Sequence, residues 1–192
     1  ARGRCEAFLL AVKNGSYKAQ SREELLAKMS DVMSVIMKQT DRAITITKRL
    51  SSFAKPSKEL AEDVQIEQDV DEVLGLVSYE LQLERIEVRK NIPKDLPVIK
   101  VDRKQFQEVL FNLIRNAAQA IKENGRIVIS AGTEGDKVFV DIQDTGSGIS
   151  ADTKKELFRP FFTTKGPGKG TGLGLFIIRK IVEKNGGRVY VK

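Results

Sequence analysis

Nine residues between Leu25 and Phe53 recur at alternating spacings of four and three: Leu25, Met29, Val32, Ile36, Gln39, Ala43, Ile46, Leu50 and Phe53. That is a heptad seam, the pattern of a coiled coil or helix bundle. It predicts one helix over residues 22–54, about 50 Å long at ~1.5 Å per residue. A single helix cannot bury its own apolar stripe, so this one demands a partner. Residues 4–13 offer a shorter helix with Phe8, Leu9, Leu10 and Val12, and Asn14-Gly15-Ser16 reads as its stop signal. Together they predict a helical hairpin, which in two copies makes a dimeric four-helix bundle. The alternative is a hairpin packed within its own chain. Pro56 ends the long helix. The predicted domains are residues 1–57 and 58–192.

Beyond the proline, strands and helices alternate. Val64–Val70 reads as a strand and Asp71–Leu83 as a helix with Val73, Leu74, Val77 and Leu81 on one face. Ile86–Asn91 and Val98–Val101 read as strands. Asp102, with Gln105 three residues on, starts a helix that runs to about Ile121, with Gly125 as its C-terminal glycine. Arg126–Ala131 and Lys137–Asp144 form a hairpin across residues 132–136. A short helix covers Asp152–Leu157. A last one runs from about Gly172 to Asn185-Gly186-Gly187, and Arg188–Lys192 reads as a strand. The expected class is α+β, a helical hairpin followed by an α/β sandwich with helices on one face of a mixed sheet.

Composition removes several kinds of chemistry. The 192 residues include no histidine, no tryptophan and one cysteine, Cys5. Histidine metal sites, Ser-His-Asp and Cys-His nucleophiles, and an intramolecular disulfide are therefore excluded for these residues. No apolar run approaches the ~20 residues of a membrane span. Of the net charge of +7, residues 1–57 carry +6, from 11 basic and 5 acidic side chains. That basic segment is either a solvated surface or a docking face for an acidic partner. No finger spacing or aromatic-and-basic motif points to nucleic acid.

Of 15 glycines, seven fall between Gly146 and Gly174. Glycine lets the backbone approach a ligand closely. The run Gly166-Pro167-Gly168-Lys169-Gly170-Thr171-Gly172-Leu173-Gly174-Leu175 leads into an apolar helix, whose first N–H groups suit phosphate. It lacks the Gly-Lys-Ser/Thr of a Walker loop. Asp144-Thr145-Gly146-Ser147-Gly148 follows a strand, where a carboxylate can accept a hydrogen bond from a base edge. Asn112 and Asn116 share one face of an otherwise apolar helix. Two amides there either serve as oxygen ligands for a Mg²⁺–triphosphate or bond to neighbouring backbone.

These segments resemble the four boxes of sensor histidine kinases. Asn112-Leu-Ile-Arg-Asn116-Ala-Ala-Gln-Ala120 looks like the N box, and Asp144-x-Gly146-x-Gly148 like the G1 box. Phe158-Arg-Pro-Phe161-Phe162 is similar to the F box, and Gly170-Thr-Gly172-Leu-Gly174-Leu to the G2 box. They lie in family order across residues 58–192. Residues 22–57, ending Phe53-Ala54-Lys55-Pro56, resemble the second helix of the family's dimerization and phosphoacceptor domain. The Phe-Phe-Thr-Thr-Lys run and short lid resemble the nitrogen-regulation subgroup.

The resemblance implies an ATP-binding domain of the Bergerat type, shared with gyrase, Hsp90 and MutL. In it Asp144 would hold the adenine amino group, with Gly146 and Gly148 shaping the pocket. Asn116 would ligate Mg²⁺, and Asn112 would position metal or phosphates. Gly170, Thr171, Gly172, Leu173, Gly174 and Leu175 would cradle the phosphates. Lys165 and Lys169 on the lid would screen the γ-phosphate. Phe158, Phe161 and Phe162 would couple the lid to the helical domain.

The implied function is an ATP-dependent histidine kinase core. It would pass the γ-phosphate of Mg-ATP to a histidine and then to an aspartate of a response-regulator receiver domain. Its catalytic portion would be cytoplasmic and homodimeric through the helical hairpin, with membrane attachment of the full-length protein left open. The related ATPases place a water-activating glutamate where this chain has Asn112. A neutral amide is a poor general base, which favours a kinase over an ATPase; Glu108, one turn earlier, keeps the ATPase alternative open. A nucleotide-binding pseudokinase or dimerization scaffold is the third reading. The family's acceptor histidine would fall a few positions before Ala1, and a further family strand after residue 192. The chain is therefore expected to be trimmed at both ends.

Overall fold

The structure is a computed structural model and describes residues 2–14, 23–37, 40, 61–122, 124–166 and 170–192. The chain divides into two compact units, Ala1–Lys58 and Glu59–Lys192.

In the first unit, α1 spans Arg2–Lys13, and residues 23–37 form α2. Both fall where the sequence predicts helix. The seam positions of the second half, Gln39, Ala43, Ile46, Leu50 and Phe53, lie outside the described residues, as do Gly15, Ser16 and the Pro56 helix end. Leu9, Leu10, Val12, Met29 and Ile36 are all exposed. Among the described residues the seam is thus partly uncovered in the single chain, with Leu25 and Val32 half-buried.

Among the described residues the second unit has five strands and four helices: β1 Glu62–Val64, α3 Ile66–Leu83, β2 Glu87–Asn91, β3 Ile99–Val101, α4 Arg103–Ala120, β4 Arg126–Glu134, β5 Lys137–Asp144, α5 Ala151–Glu156 and α6 Gly174–Lys184. The main sheet has the order β2-β4-β5, with β2 parallel and β5 antiparallel to β4. β1 and β3 form a separate antiparallel pair. The α+β class and mixed sheet agree with the sequence reading.

Helices α3 and α4 bury Val70, Val73, Val77, Leu110 and Ile114 against Ile127 and Ile129 of β4. β4 alternates because its other face is more open. Each fully buried aliphatic side chain contributes about 1.5–3 kcal/mol. A polar clamp joins the two helices. Asp69, 1% exposed, accepts from Arg103 Nε at 2.9 Å and from Gln107 Nε2 at 2.7 Å. Glu72 accepts from the same two side chains at 2.7 and 2.8 Å.

Four local expectations need correction. The predicted strand Val64–Val70 ends at Val64, and Ile66–Val70 is the first turn of α3. Val64, Ile66 and Val70 fit a two-residue alternation. But Ile66, Val70, Val73 and Val77 also fit helical spacing, and Glu67 and Asp69 suit the positive end of a helix. Gly125 does not cap α4, because the helix ends at Ile121 in extended geometry. A Cβ on Gly125 would sit 2.5 Å from Ile121 Cγ2, so the glycine serves close packing. The hairpin turn is two residues, Gly135-Asp136, and β4 continues to Glu134. Residues 187–192 form no strand: β5 pairs with β4 alone, and no ladder bond reaches the segment.

Candidate functional site

Helix α4 carries the two asparagines because its first turn is fixed. Asp102 accepts from the Gln105 amide at 3.1 Å, satisfying one of the unpaired N–H groups. Gln105 returns its side-chain amide to Asp102 Oδ2 rather than to the backbone. Two turns on, Asn112 is 8% exposed and donates through Nδ2 to the Glu108 carbonyl at 2.8 Å. The backbone-bonding alternative is therefore correct for that half of the amide. The other half faces α6: a Cβ on Gly174 would lie 3.5 Å from Asn112 Oδ1. Asn116, one turn later, is half-buried and accepts from Lys165 Nζ at 3.4 Å. Lys165 also donates to Gln119 Oε1. Burial, and after it the charge of Arg115, push the Lys165 ammonium below the usual lysine value.

Asp144 ends β5. Its Oδ1 accepts from the Gly146 amide at 2.8 Å, a local turn that leaves the carboxylate exposed. The loop docks on the end of α4, where Ser147 N donates to Ala120 O at 3.2 Å. A Cβ on Gly146 would stand 2.6 Å from that same carbonyl, so only glycine fits. Gly148 has φ of +70° with open space around it. Asp144 and Gly148 are among the residues that line a cavity of about 1190 Å³, together with Val140, Ile142, Leu110 and Leu113. The whole of β5 lines that cavity, and none of Asn112, Asn116 or Gly170–Leu175 does.

Residues 170–173 of the glycine-rich run lead directly into α6. Leu173 is the N-cap residue, buried, and gives no side-chain cap. Thr171 Oγ1 accepts from Leu173 N at 3.4 Å. Gly172 has φ of +66°, and a Cβ there would lie 2.3 Å from the Phe161 carbonyl carbon. Phe161 itself has φ of +67° and is 67% exposed, while Phe158 and Phe162 are half-buried. The phenylalanine turn and the glycine run therefore touch through backbone. Leu175 lies in the first turn of α6. Lys169 lies outside the described residues. Two polar residues escaped sequence reading, Gln119 and Asp69. Gln119 stands three residues beyond Asn116, on the same helix face. Asp69 was hidden inside a misassigned strand.

The family described as histidine kinase-, DNA gyrase B-, and HSP90-like ATPase matches residues 101–192. Sensor histidine kinase ZraS of Escherichia coli O157:H7 is 36% identical over 157 residues, 82% of this chain and 34% of its own length. The catalytic domain of histidine kinase ThkA superposes with a TM-score of 0.61 at 35% identity, over 67% of this chain and 86% of that one. This chain belongs to the sensor histidine kinases. Nitrogen regulation protein NtrY of Azorhizobium caulinodans is 31% identical over 186 residues, 92% of this chain and 23% of its own length. ThkA in complex with the response regulator protein TrrA has a TM-score of 0.69 at 25% identity, over 95% of this chain and 50% of that one. The chain thus spans between about a quarter and a third of these curated relatives. Asn112, Asn116, Asp144 and Gly170–Leu175 all fall inside the ATPase-family match, which makes ATP the ligand that the family implies. Among the described residues no helix is long and apolar enough to cross a membrane.

Proposed function

We propose that residues 58–192 bind Mg-ATP and present its γ-phosphate to a histidine outside these 192 residues. The phosphate then passes to an aspartate on a response-regulator receiver domain. The observation that carries this reading is at α4. Asn116 Oδ1 and Gln119 Oε1 converge on one cationic head, the Lys165 ammonium. Uncharged oxygens gathered on a cation suit a hard divalent ion that also takes phosphate oxygens. The start of α6 has no side-chain cap, and the positive end of a helix suits anionic oxygen. Asp144, one of the residues that line the cavity, keeps an exposed carboxylate, as an adenine reader needs.

In this reading Asn116 holds Mg²⁺, and Asn112 orients the phosphates from the side of Gly174. Gly170, Thr171, Gly172, Leu173, Gly174 and Leu175 cradle them, with Lys165 and Lys169 screening the terminal one. Phe158 and Phe161 order the lid from the turn that precedes it. Bound ATP supplies the phosphoryl group; the chain supplies position and electrostatics. Asn112 cannot act as a base, so water is not activated and the nucleotide waits for a better nucleophile. The helical unit, residues 1–57, pairs with a second copy through its uncovered stripe, and its basic surface meets the acidic receiver. ThkA was solved with a response regulator, which supports that partner. The site works in the cytoplasm, where ATP is available.

Calorimetry with Mg-ATP tests the reading. One saturable site per chain is expected, with phosphate release far slower than in a gyrase-type ATPase. Asp144→Asn keeps the turn, because an amide oxygen still accepts from Gly146. It should weaken binding roughly 10- to 100-fold, the worth of a charged hydrogen bond. Unchanged affinity removes Asp144 from the adenine site, and rapid turnover favours the ATPase alternative.

A further inference from the structure

Thr145 carries more of the Asp144 turn than its exposed place suggests. Asp144 is the last residue of β5 and lies opposite Ile127 of β4. The next pair along is Thr145 and Arg126, and there the bonding changes. In a regular hydrogen-bonded antiparallel pair the two residues exchange both backbone bonds, amide to carbonyl each way. Here the Thr145 amide donates to the Arg126 carbonyl at 3.1 Å, but the Arg126 amide donates to the Thr145 hydroxyl, Oγ1, at 2.9 Å. The hydroxyl stands in for the carbonyl of residue 145. The backbone can therefore leave the sheet at once, and two residues later the Ser147 amide is on the Ala120 carbonyl at 3.2 Å. Arg126 is a firm anchor. On its other side it is in register with Glu87 of β2, and its Nε reaches Glu87 Oε2 at 3.0 Å. Beside it the Glu87 amide donates to the Gly125 carbonyl at 2.9 Å. Gly125 also leaves room for the hydroxyl, since a Cβ there would stand 2.7 Å from Thr145 Oγ1.

We propose that Thr145 is a positioning residue for selection of the purine base. Its hydroxyl, holding the Arg126 amide, ends the ladder one residue after Asp144 and so sets the Asp144 carboxylate to receive an exocyclic amino group. The proposal rests on the reading of Asp144 as the adenine contact and deepens it. The turn occupies Asp144 Oδ1 with the Gly146 amide at 2.8 Å, which leaves Oδ2 for the base. Where that oxygen stands depends on where the backbone leaves the sheet. Without the hydroxyl, the Arg126 amide takes water or the carbonyl of residue 145, and the carbonyl draws the turn back toward the sheet. A displaced carboxylate loses its bond to the base but leaves the phosphate contacts as they were. The loss then falls on selection of the base rather than on nucleotide binding in general.

The test uses residues 1–192, with Mg-ATP and Mg-ITP as paired ligands in calorimetry. ITP presents a carbonyl where ATP carries the amino group. Wild type should prefer ATP, and Asp144→Asn should erase that preference. Thr145→Val, which keeps the shape and loses the acceptor, should weaken ATP roughly three- to tenfold, as one lost hydrogen bond gives, and leave ITP unchanged. Thr145→Ser should keep the wild-type ratio. Added to Asp144→Asn, Thr145→Val should change the ratio no further, because the contact it positions is already gone. A readout without ligand is hydrogen exchange at the Arg126 amide, which should quicken in Thr145→Val and not in Thr145→Ser. Thr145 is exposed, so both variants should fold, and Thr145→Ala removes the same hydroxyl if the valine disturbs the turn. Equal weakening of ATP and ITP in Thr145→Val, an unchanged ratio, or an equal fall in Thr145→Ser overturns the role of Thr145 and leaves Asp144 in place. A wild-type chain without preference, or an Asp144→Asn chain that keeps it, overturns the adenine reading and this proposal with it.

Discussion

Gly172 shows how narrowly single residues are constrained at this site. Its left-handed φ costs an L-residue about 1–3 kcal/mol. Any Cβ would also overlap the Phe161 backbone. Gly172→Ala should therefore lower the melting temperature of the second unit by several degrees and separate the glycine run from the phenylalanine turn. A melting temperature within a degree of wild type would mean that the two segments part freely. The asparagines, the Asp144 turn and the glycines were legible in the sequence because each needs a specific residue type. Gln119 was not, because an exposed helical glutamine carries no spacing signal. Its role depends on Lys165, 46 residues away.

Elements matter here through what they hold still. α4 bears Asn112, Asn116 and Gln119, and it is fixed at three points: the Asp102 cap, the Asp69–Arg103–Gln107 clamp and the loop docked on Ala120. Asp102→Ala removes the cap and should cost about 1 kcal/mol. That corresponds to roughly 3–5 °C in thermal unfolding of a unit this size. A melting temperature unchanged to within 1 °C would show that the clamp alone sets the helix start. The α4 start and the α6 end were readable because capping residues mark them. α6 ends with Gly186 at φ +71° and the Gly187 amide bonded to Val182 O at 2.9 Å, a Schellman turn. The start of α3 was not readable. Val64, Ile66 and Val70 satisfy two periodicities at once, and only burial of Val73 and Val77 on the same face decides between them. The strand expected at Arg188–Lys192 failed for a different reason. Alternating side chains allow a strand, but hydrogen bonds to a neighbour make one.

At the scale of the molecule, two sequence features belong to the helical unit: the heptad seam and nearly all of the +7 charge. Met29 and Ile36 of that seam remain exposed. Uncovered apolar stripes of this length call for a second copy. Sedimentation should show a dimer that Ile36→Asp dissociates. A wild-type monomer would return the hairpin to an intramolecular role. The absence of histidine among these residues gives the sharpest test of all, because phosphoryl transfer needs an acceptor that the 192 residues cannot supply. The decisive measurement is protein-bound label after incubation with γ-labelled ATP and Mg²⁺, with a histidine-bearing phosphoacceptor domain supplied as a separate chain. The account predicts a phosphate that is lost in acid, stable in base, and passed on to a receiver-domain aspartate. Steady phosphate release to water with no protein-bound label would contradict it.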